Sequence, residues 1–373
     1  MAATDGADST VDSIVVFAVG YRWHDLLQAL YRAVERPGLE VVPDGVNGAL
    51  ARTLRPGETG IVHLNWASEV VAVPRRTTAI RRVAAQVVQL VRVRRRGYRI
   101  VWTVHNDHNH EGLHVGLERR YQAVLARCFA DRIVALSEYS AALVRARGGR
   151  RVAAKVRVIP LCTSEEVNGP PRDTIAARRE LGISPDRTVL LLFGSLREYK
   201  GLHQLRAALS ELRDLGDRFV LCVAGAPSDP GVGRAAREMA AEFDNVVTVL
   251  ERIPRDAVAT WISAADWLVL PYTDILNSGV AMLALTYRVP VVVPRIAALD
   301  EVVSVDGALG GIAFDPGAPH ALAEALRHAL EVGAERYTAM HTVLTTAARR
   351  HDPTLVAAEL RAVYEELATP RPR

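Results

Sequence analysis

Short apolar runs alternate with helical patterns along most of the chain. In the first half the runs occupy residues 13–19, 39–42, 61–66, 99–105, 132–137 and 156–160. In the second half they occupy residues 189–193, 219–224, 246–250, 267–271, 289–293 and 311–314. Stretches with helical spacing lie between them, and strands that alternate with helices indicate a parallel sheet. The pattern predicts an α/β protein with two Rossmann-like, doubly wound domains.

The alternation is interrupted between residues 163 and 187. There Asn168-Gly-Pro-Pro and Ser184-Pro-Asp bracket a short helical piece, which is typical of a linker. We predict a disordered tail over residues 1–12, a first domain over residues 13–165, a linker over residues 166–186 and a second domain over residues 187–345. Residues 346–373 hold a last amphipathic helix. We expect the two domains to face a cleft.

The turn after the strand at residues 189–193 is the clearest candidate for ligand binding. Its sequence, FGSLREYKG, sets Gly194 and Gly201 around Ser195, Arg197 and Lys200. Ligands bind at the carboxyl ends of strands in open α/β sheets, and helix N-termini favour anions. Lys200 is one of two lysines in a chain with 46 basic residues, so an ammonium stands here where arginine is the rule. We expect Arg197 and Lys200 to lie on an exposed loop and to bind a phosphate.

A second helix start lies in the same half of the chain. The sequence LVLPYTDILN is followed by Ser278 and Gly279, which open an apolar helix. Serine is a favoured N-cap, and glycine lets a ligand approach the backbone closely. The unpaired amides of that helix would point toward the same anion.

Composition fits this picture. The chain has 373 residues, 49% of them hydrophobic, which is enough for two cores. Cys128, Cys162 and Cys222 lack metal-ligand spacing and fit a reducing compartment. The first residues do not resemble a signal peptide, and no apolar run reaches the ~20 residues of a membrane helix. We expect a cytoplasmic protein.

A series of motifs along the chain, in the same order, resembles the GT-B-fold glycosyltransferases of the retaining group 1, or family 4, type. The resemblance rests on FGSLREYKG, AADWLVLPY, the Asn-Ser-Gly helix start and VPVVVP in the second half, and on WTVHNDHNHEG and VALSEYS in the first. It covers roughly residues 13–330. It implies an enzyme that moves a sugar from a nucleoside-diphosphate-sugar to a hydroxyl acceptor with retention. The first domain would hold the acceptor and the second the donor, and the last helix would cross back to the first domain.

The resemblance assigns roles to residues of the second half. Lys200 and Arg197 would contact the donor diphosphate as catalytic cations. Gly194, Ser195, Asp274, Asn277, Ser278 and Gly279 would bind the donor. The family's pair of glutamates is missing, because Ile275 and Leu283 occupy its places, and Asp274 stands next to the first of them. The family's arginine directly after the glycine is also displaced, from position 195 to Arg197.

In the first half, four histidines lie within ten positions at the carboxyl end of the strand at residues 99–105: His105, His108, His110 and His114. By resemblance, His105 or His110 would touch the transferred sugar or the acceptor hydroxyl, and His105 is the catalytic candidate. Other polar and aromatic residues at strand ends are predicted to form the acceptor-side wall; these are Trp23, His24, His63, Asn65, Trp66, His110 and Glu111.

Two sequence patterns bear on whether the protein binds a metal. The run from His110 to His114 has the H-E-x-x-H pattern of zinc proteases, but it follows a strand directly and contains Gly112, which disfavours the required helix. No D-x-D triplet is present to hold a divalent metal on a diphosphate. We therefore expect no metal, and no cofactor beyond the nucleotide-sugar, since no dinucleotide or P-loop motif follows a strand.

Residues 75–99 contain nine arginines around an apolar helical stripe. The pattern predicts either a solvated basic face or a helix that docks on an anionic membrane, at the inner membrane face. Nucleic acid is not expected, because no aromatic residues are interleaved to stack on bases. Two alternatives to glycosyl transfer remain: a GT-B-fold epimerase or sugar-phosphate synthase, and a non-catalytic sugar- or nucleotide-binding protein.

Overall fold

The structure is a computed structural model, and it describes residues 13–20, 25–109 and 111–369. The chain divides into two compact units. The first unit contains the residues up to Pro160 together with those from Thr354 onward, and the second runs from Leu161 to Pro353. Within the described residues, no helix is long and apolar enough to span a membrane.

The first unit is built on a six-stranded parallel sheet in the order β2-β1-β3-β4-β5-β6. Its strands are β1 Ser13–Ala18, β2 Leu39–Val42, β3 Glu58–Leu64, β4 Arg99–Val104, β5 Arg132–Ala135 and β6 Val156–Val158. Its helices before the second unit are α1 Asp25–Val34, α2 Gly45–Ala51, α3 Arg76–Arg95, α4 Val115–Val124, α5 Glu138–Gly148 and α6 Arg150–Ala153. Ala67–Val71 forms a 3₁₀ turn and Leu125–Phe129 a π turn.

The second unit is built on a six-stranded parallel sheet in the order β14-β11-β10-β7-β8-β9. Its strands are β7 Thr188–Phe193, β8 Phe219–Ala224, β9 Val246–Val249, β10 Trp267–Val269, β11 Val291–Pro294 and β14 Gly311–Phe314, with a small hairpin of β12 Ser304–Val305 and β13 Ala308–Leu309. Its helices are α7 Glu165–Asn168, α8 Thr174–Glu180, α9 Leu202–Ser210, α10 Pro230–Glu242, α11 Arg255–Ala264, α12 Gly279–Tyr287, α13 Ala297–Val303, α14 Ala321–Glu331 and α15 Ala334–Arg350. Glu198–Lys200 and Arg213–Arg218 form 3₁₀ turns.

In each sheet, successive strands are added first on one side of the initial strand and then on its other side, so the strand order reverses at one point. In the first unit that point lies between β1 and β3, and in the second between β7 and β10. Helices that leave two neighbouring strands toward opposite faces open a crevice at their carboxyl ends. The strand order alone therefore marks one ligand-binding edge in each unit.

The segment predicted as a linker is fastened to the second unit. Arg178 is buried, and its guanidinium donates to the carbonyls of Ala264 (2.9 Å) and Pro185 (3.0 Å) and pairs with Asp266. The Tyr287 hydroxyl donates to the Gly169 carbonyl at 2.8 Å. The second unit thus begins at Leu161, whereas the sequence pattern predicted that the first domain ends at residue 165 and that a linker spans residues 166–186.

The last helix, α16, spans Pro353–Ala368 and completes the first unit. Arg361 donates to the Ala33 carbonyl at 2.6 Å, and Glu366 pairs with Arg132. Tyr364 is fully buried and reaches the centre of the sheet. Residues 346–350, which the sequence grouped with this helix, belong to α15 in the second unit.

Candidate functional site

In the second unit, Lys200 and Gly194 meet at the crevice between β7 and β10. Gly194 follows β7 directly, and a Cβ built on it would lie 3.4 Å from Lys200 Nζ and 3.5 Å from Val280 Cγ2 in the first turn of α12. The ammonium, the end of β7 and the start of α12 therefore converge on one spot. The sequence predicted a phosphate-binding site from these same elements.

Glycines are required on both sides of this turn. Gly194 has a φ of +82° and Gly201 a φ of +74°, a region that other residues rarely adopt. A Cβ on Gly201 would also lie 1.9 Å from the Pro271 carbonyl oxygen, so the turn packs directly on the segment that follows β10. The backbone amide of Thr273 donates to the Tyr199 carbonyl at 2.8 Å and fixes the same two segments together.

Lys200 is buried, which corrects the expectation that it lies on an exposed loop. Only 4% of it is exposed. Its ammonium donates to the Phe193 carbonyl and lies over the Tyr272 ring, 5.7 Å from the centroid. Both of these partners are uncharged. Burial is the larger cause that lowers the pKa of Lys200 to about 7, and the neighbouring Arg197 guanidinium is the smaller one.

Tyr272 is the platform for this lysine and was not singled out from the sequence. It is fully buried, packs edge-on against Tyr199 at 5.6 Å, and is hydrogen-bonded with the Ser278 side chain. Burial, and after it Tyr199, raise the pKa of Tyr272, so its hydroxyl stays protonated. The only sequence signal for it was its place directly after the strand in AADWLVLPY.

The start of α12 is capped as the sequence predicted. Ser278 is buried, and its side chain accepts from the Ala281 amide at 3.1 Å. Gly279, the first residue of the helix, is exposed. The remaining amides of the first turn lie beside Val280, which is the residue that borders Gly194 and Lys200.

The other predicted donor residues lie on the same edge with less contact to Lys200. Arg197 is half-buried and close enough to lower the pKa of Lys200, while Ser195 is exposed. Asp274 is exposed and Asn277 half-buried in the segment between Tyr272 and α12. Ile275, which occupies the place of the family's first glutamate, is buried, so the apolar side chain contributes to packing.

In the first unit, His105 directly follows β4, and its side chain reaches the residues that follow β3, beside the crevice between β1 and β3. Its ring stacks on Trp66, with centroids 4.2 Å apart and planes at 18°. Its Nε2 lies 2.8 Å from Asn65 Oδ1. A Cβ on Gly20, at the end of β1, would lie 2.9 Å from the Trp66 ring. The structure thus brings the catalytic candidate His105 together with two of the predicted acceptor-side residues, Asn65 and Trp66.

The prediction that His63 and Asn65 form part of a wall is corrected by their burial, with 2% and 1% exposed. His63 lies 2.6 Å from the Tyr364 hydroxyl, 3.0 Å from the Tyr31 hydroxyl and 2.6 Å from the Thr103 hydroxyl. Burial lowers the pKa of His63 to about 3, so the ring is neutral. Both side chains can be buried because hydroxyl groups, the Val19 carbonyl and the His105 ring satisfy their polar atoms.

The loop after β4 is held by a buried carboxylate that the sequence did not reveal. Glu118 accepts from the Asn109 amide at 2.9 Å and from the Asn109 side chain at 2.6 Å, and His114 bonds to the Val73 carbonyl at 3.0 Å. Glu111 is exposed on this loop. Burial raises the pKa of Glu69, and the nearby Glu111 carboxylate adds a smaller increase.

Three predicted residues lie outside the described part of the chain: Trp23, His24 and His110. Among the described residues, no group of three or more histidine, cysteine, aspartate or glutamate side chains is arranged to hold a metal ion.

Comparison with solved structures defines the class of fold. The chain is similar to Alr3699/HepE of Anabaena in its complex with UDP, with a TM-score of 0.69 at 17% identity over 95% of this chain and 100% of that one. It is also similar to sucrose-phosphate synthase of Thermosynechococcus elongatus, with a TM-score of 0.67 at 18% identity over 95% and 99%. The predicted GT-B class, with two Rossmann-like units, is confirmed.

Comparison of sequences adds a matching family model and relatives with named activities. Residues 187–332 match the family model described as Glycosyl transferases group 1, so the predicted resemblance is confirmed over that part of the chain. A GDP-mannose:glycolipid 4-beta-D-mannosyltransferase of Xanthomonas campestris pv. campestris is 27% identical over 63% of this chain and 61% of its own length. A D-inositol 3-phosphate glycosyltransferase of Kribbella flavida is 32% identical over 62% and 58%. The matched region therefore spans about three fifths of these two relatives.

Proposed function

We propose that this protein is a glycosyltransferase that moves a hexosyl group from a nucleoside-diphosphate-sugar to a hydroxyl acceptor. The observation that carries the proposal is the buried Lys200 ammonium at the crevice of the second unit. Its described partners are a carbonyl and an aromatic ring, and the neighbouring Arg197 adds a second positive charge. A buried cation with uncharged partners is stabilised by a bound anion, and a diphosphate supplies one.

The same arrangement suits the chemistry of sugar transfer. Breaking the bond between the sugar and the diphosphate leaves negative charge on the departing phosphate oxygen. Lys200, Arg197 and the amides of α12 stabilise that charge, and fixed donors of this kind typically contribute ~10²–10³ in rate each. Since these cations belong to the protein, we propose that transfer needs no bound metal and no cofactor.

We propose GDP-mannose as the donor and a lipid-linked glycan hydroxyl as the acceptor. The support is the name of the Xanthomonas relative, which is a GDP-mannose:glycolipid mannosyltransferase. UDP-glucose is the comparison donor, because Alr3699/HepE was solved with UDP-glucose.

The stereochemistry has two supported outcomes. Retention follows from the resemblance to retaining group 1 enzymes. Inversion is favoured by the β linkage in the Xanthomonas relative's name, since a β-linked product arises by inversion when the donor carries its diphosphate in the α configuration. Our proposal is retention, and the anomeric configuration of the first product, read by proton NMR, decides it.

The test of the function is calorimetry followed by a transfer assay. The protein should bind GDP-mannose more tightly than UDP-glucose and transfer mannose to a sugar hydroxyl of a glycolipid. Lys200→Ala should lose turnover by ~10²–10³. Tight donor binding without transfer or hydrolysis would point to a binding protein. Release of GDP with an epimerised sugar would point to an epimerase, and transfer to a sugar phosphate would point to a sugar-phosphate synthase.

We also propose that α3 docks on an anionic membrane surface at the inner face of the membrane. Its exposed side carries Ile80 and Val88, each 48% exposed, together with exposed arginines on neighbouring turns. Apolar side chains next to cations are typical of helices that lie at a lipid interface, where each basic residue adds ~1 kcal/mol.

The membrane test uses liposomes of phosphatidylglycerol and phosphatidylcholine. Arg94 is left intact because it pairs with Asp131. Binding should fall in a variant with four exposed arginines of α3 changed to glutamine: Arg81, Arg82, Arg92 and Arg95. It should persist in a charge-matched control with four exposed arginines of the second unit changed: Arg234, Arg237, Arg336 and Arg349. Equal loss in both variants would exclude α3 as the docking surface.

A further inference from the structure

Lys200 and the start of α12 are the anion-binding elements proposed for the second unit, and one buried side chain contacts both. The Tyr272 ring lies under the Lys200 ammonium, with its centroid 5.7 Å from Nζ. The Tyr272 hydroxyl is hydrogen-bonded with the side chain of Ser278, the N-cap of α12. Tyr272 is 2% exposed and Ser278 5%, so both contacts are shielded from water.

The position of Tyr272 beside Lys200 is fixed by the backbone. The turn that carries Lys200 packs on the segment that follows β10, because a Cβ on Gly201 would lie 1.9 Å from the Pro271 carbonyl oxygen. The amide of Thr273 donates to the carbonyl of the residue before Lys200 at 2.8 Å. The neighbours of the tyrosine are thus held against the neighbours of the lysine, and the ring and the ammonium are held together with them.

The Tyr272 ring favours the charged form of Lys200 against two effects that oppose it. Burial and the Arg197 guanidinium disfavour a positive charge here and lower the pKa of Lys200. The face of an aromatic ring attracts an ammonium but not a neutral amine. The turn after β7, the first turn of α9 and the segment from β10 to α12 carry these other titratable groups: the Tyr199 and Tyr272 hydroxyls, whose pKa burial raises, and the exposed Glu198, His203 and Asp274.

We propose that Tyr272 is a positioning residue for both anion-binding elements: its ring keeps the Lys200 ammonium charged and in place, and its hydroxyl holds the Ser278 cap of α12. The ammonium keeps N–H groups for a ligand, because it has three of them and Gly194 leaves open the position, 3.4 Å from Nζ, where a Cβ would lie. The consequence for donor binding rests on the proposed function, in which both elements contact one diphosphate.

The first test needs no donor, because the chain has two lysines, Lys155 and Lys200. Protein labelled with ¹³C-lysine gives two ε-carbon resonances, which Lys155→Met assigns. The Lys200 resonance should titrate with a midpoint at about pH 7 in the wild-type protein and also in Tyr272→Phe, which keeps the ring. Fluorine withdraws negative charge from the face of a ring. Singly and then triply fluorinated phenylalanine at position 272 should therefore lower the midpoint stepwise, by about one pH unit in total.

The fluorinated series keeps the size of the side chain nearly constant, so a role in packing alone predicts no change of the midpoint. A midpoint that stays constant along the series would overturn the role of the ring. Tyr337→Phe is the matched control, because that hydroxyl donates to the Asp266 carbonyl elsewhere in the same unit. It should leave the Lys200 midpoint unchanged.

The second test examines the hydroxyl by calorimetry with GDP-mannose in mildly acidic buffer, where Lys200 is charged. Tyr272→Phe should weaken binding about three- to tenfold, which is the size of one hydrogen bond. Ser278→Ala should weaken it similarly. The double variant should lose no more than Ser278→Ala, because the hydroxyl acts through the cap. Additive losses, or an equal loss in Tyr337→Phe, would overturn the role of the hydroxyl.

The two tests separate this inference from the proposed function. Tight donor binding together with a constant Lys200 midpoint along the fluorinated series would leave the proposed function standing and overturn the role of the ring. A wild-type protein that binds neither GDP-mannose nor UDP-glucose would refute the proposed function and the role of the hydroxyl in donor binding. The fluorinated series would then still decide the role of the ring.

Discussion

Replacing Lys200 by methionine should stabilise the second unit against unfolding while abolishing donor binding. Methionine has a similar length and no charge, so it can fill the same buried space over Tyr272. The change removes an ammonium whose pKa is lowered from 10.5 to about 7 by burial and by Arg197. A depression of that size corresponds to about 5 kcal/mol of unfavourable free energy for the charged form.

The net stabilisation by methionine is smaller than this free energy of the charged lysine. At pH 7 about half of the folded molecules already carry a neutral Lys200, and methionine leaves the Phe193 carbonyl without its donor, at a cost of about 1–2 kcal/mol. We expect a stabilisation of about 2–3 kcal/mol at neutral pH. For a unit of this size that is a rise in Tm of about 5–10 °C.

The dependence on pH identifies the cause. The folded pKa of Lys200 is lower than the unfolded one, so the unfolded chain binds more protons between pH 7 and 10.5. The cost of Lys200 is fully present below pH 7 and is lost as the pH rises toward 10.5. The difference between the variant and the wild-type protein should therefore shrink across that window.

The assay is urea unfolding followed by tryptophan fluorescence at several pH values, with and without GDP-mannose. Lys155→Met is the control, because Lys155 lies half-buried in the first unit. GDP-mannose should stabilise the wild-type protein and the control but not Lys200→Met. A variant that is less stable than the wild-type protein by the same amount at every pH would refute the reasoning.

Four further predictions concern other parts of the site and its support. Gly279→Val should leave the Tm nearly unchanged and weaken GDP-mannose binding at least tenfold by calorimetry, because a branched side chain then stands on the first turn of α12; normal binding would place the diphosphate elsewhere. Gly201→Ala should destabilise the second unit by about 3 kcal/mol or more in urea, since its Cβ would meet the Pro271 oxygen at 1.9 Å; a change below 1 kcal/mol would contradict the tight packing. Transfer should persist in EDTA, and loss that manganese restores would disprove the metal-free proposal. Tyr364→Phe should cost about 1 kcal/mol in urea unfolding through the bond to His63, and no change would show that this bond adds nothing.

The sheets and the location of the candidate site could be predicted because they depend on local pattern. Each strand is a run of apolar residues buried on both faces, and such runs are evident without any knowledge of their neighbours. The order of strands and helices then places ligands at strand ends, which is where Gly194, Lys200 and His105 lie. The N-cap Ser278 was equally evident from residue type and position.

The burial of individual polar residues could not be predicted, because it depends on partners far away in the sequence. His63 is satisfied by Tyr364, 301 positions later, and Lys200 lies on Tyr272, which follows a different strand. Period-two alternation shows that His63 and Asn65 share a face, but it does not show whether distant hydroxyls reach them. The same limit applies to Glu118, whose buried bonds to Asn109 set the loop after β4.

The contact between α16 and the first sheet has a consequence for the order in which the protein matures on the ribosome. The first unit receives Tyr364 only after the whole of the second unit has been synthesised. Until then the polar residues His63 and Tyr31 at the centre of its sheet lack the Tyr364 hydroxyl, and α16 does not yet cover them. The unit translated second can therefore complete its fold first, and the unit translated first closes last. A stalled or prematurely released chain would expose that uncovered surface to chaperones and proteases.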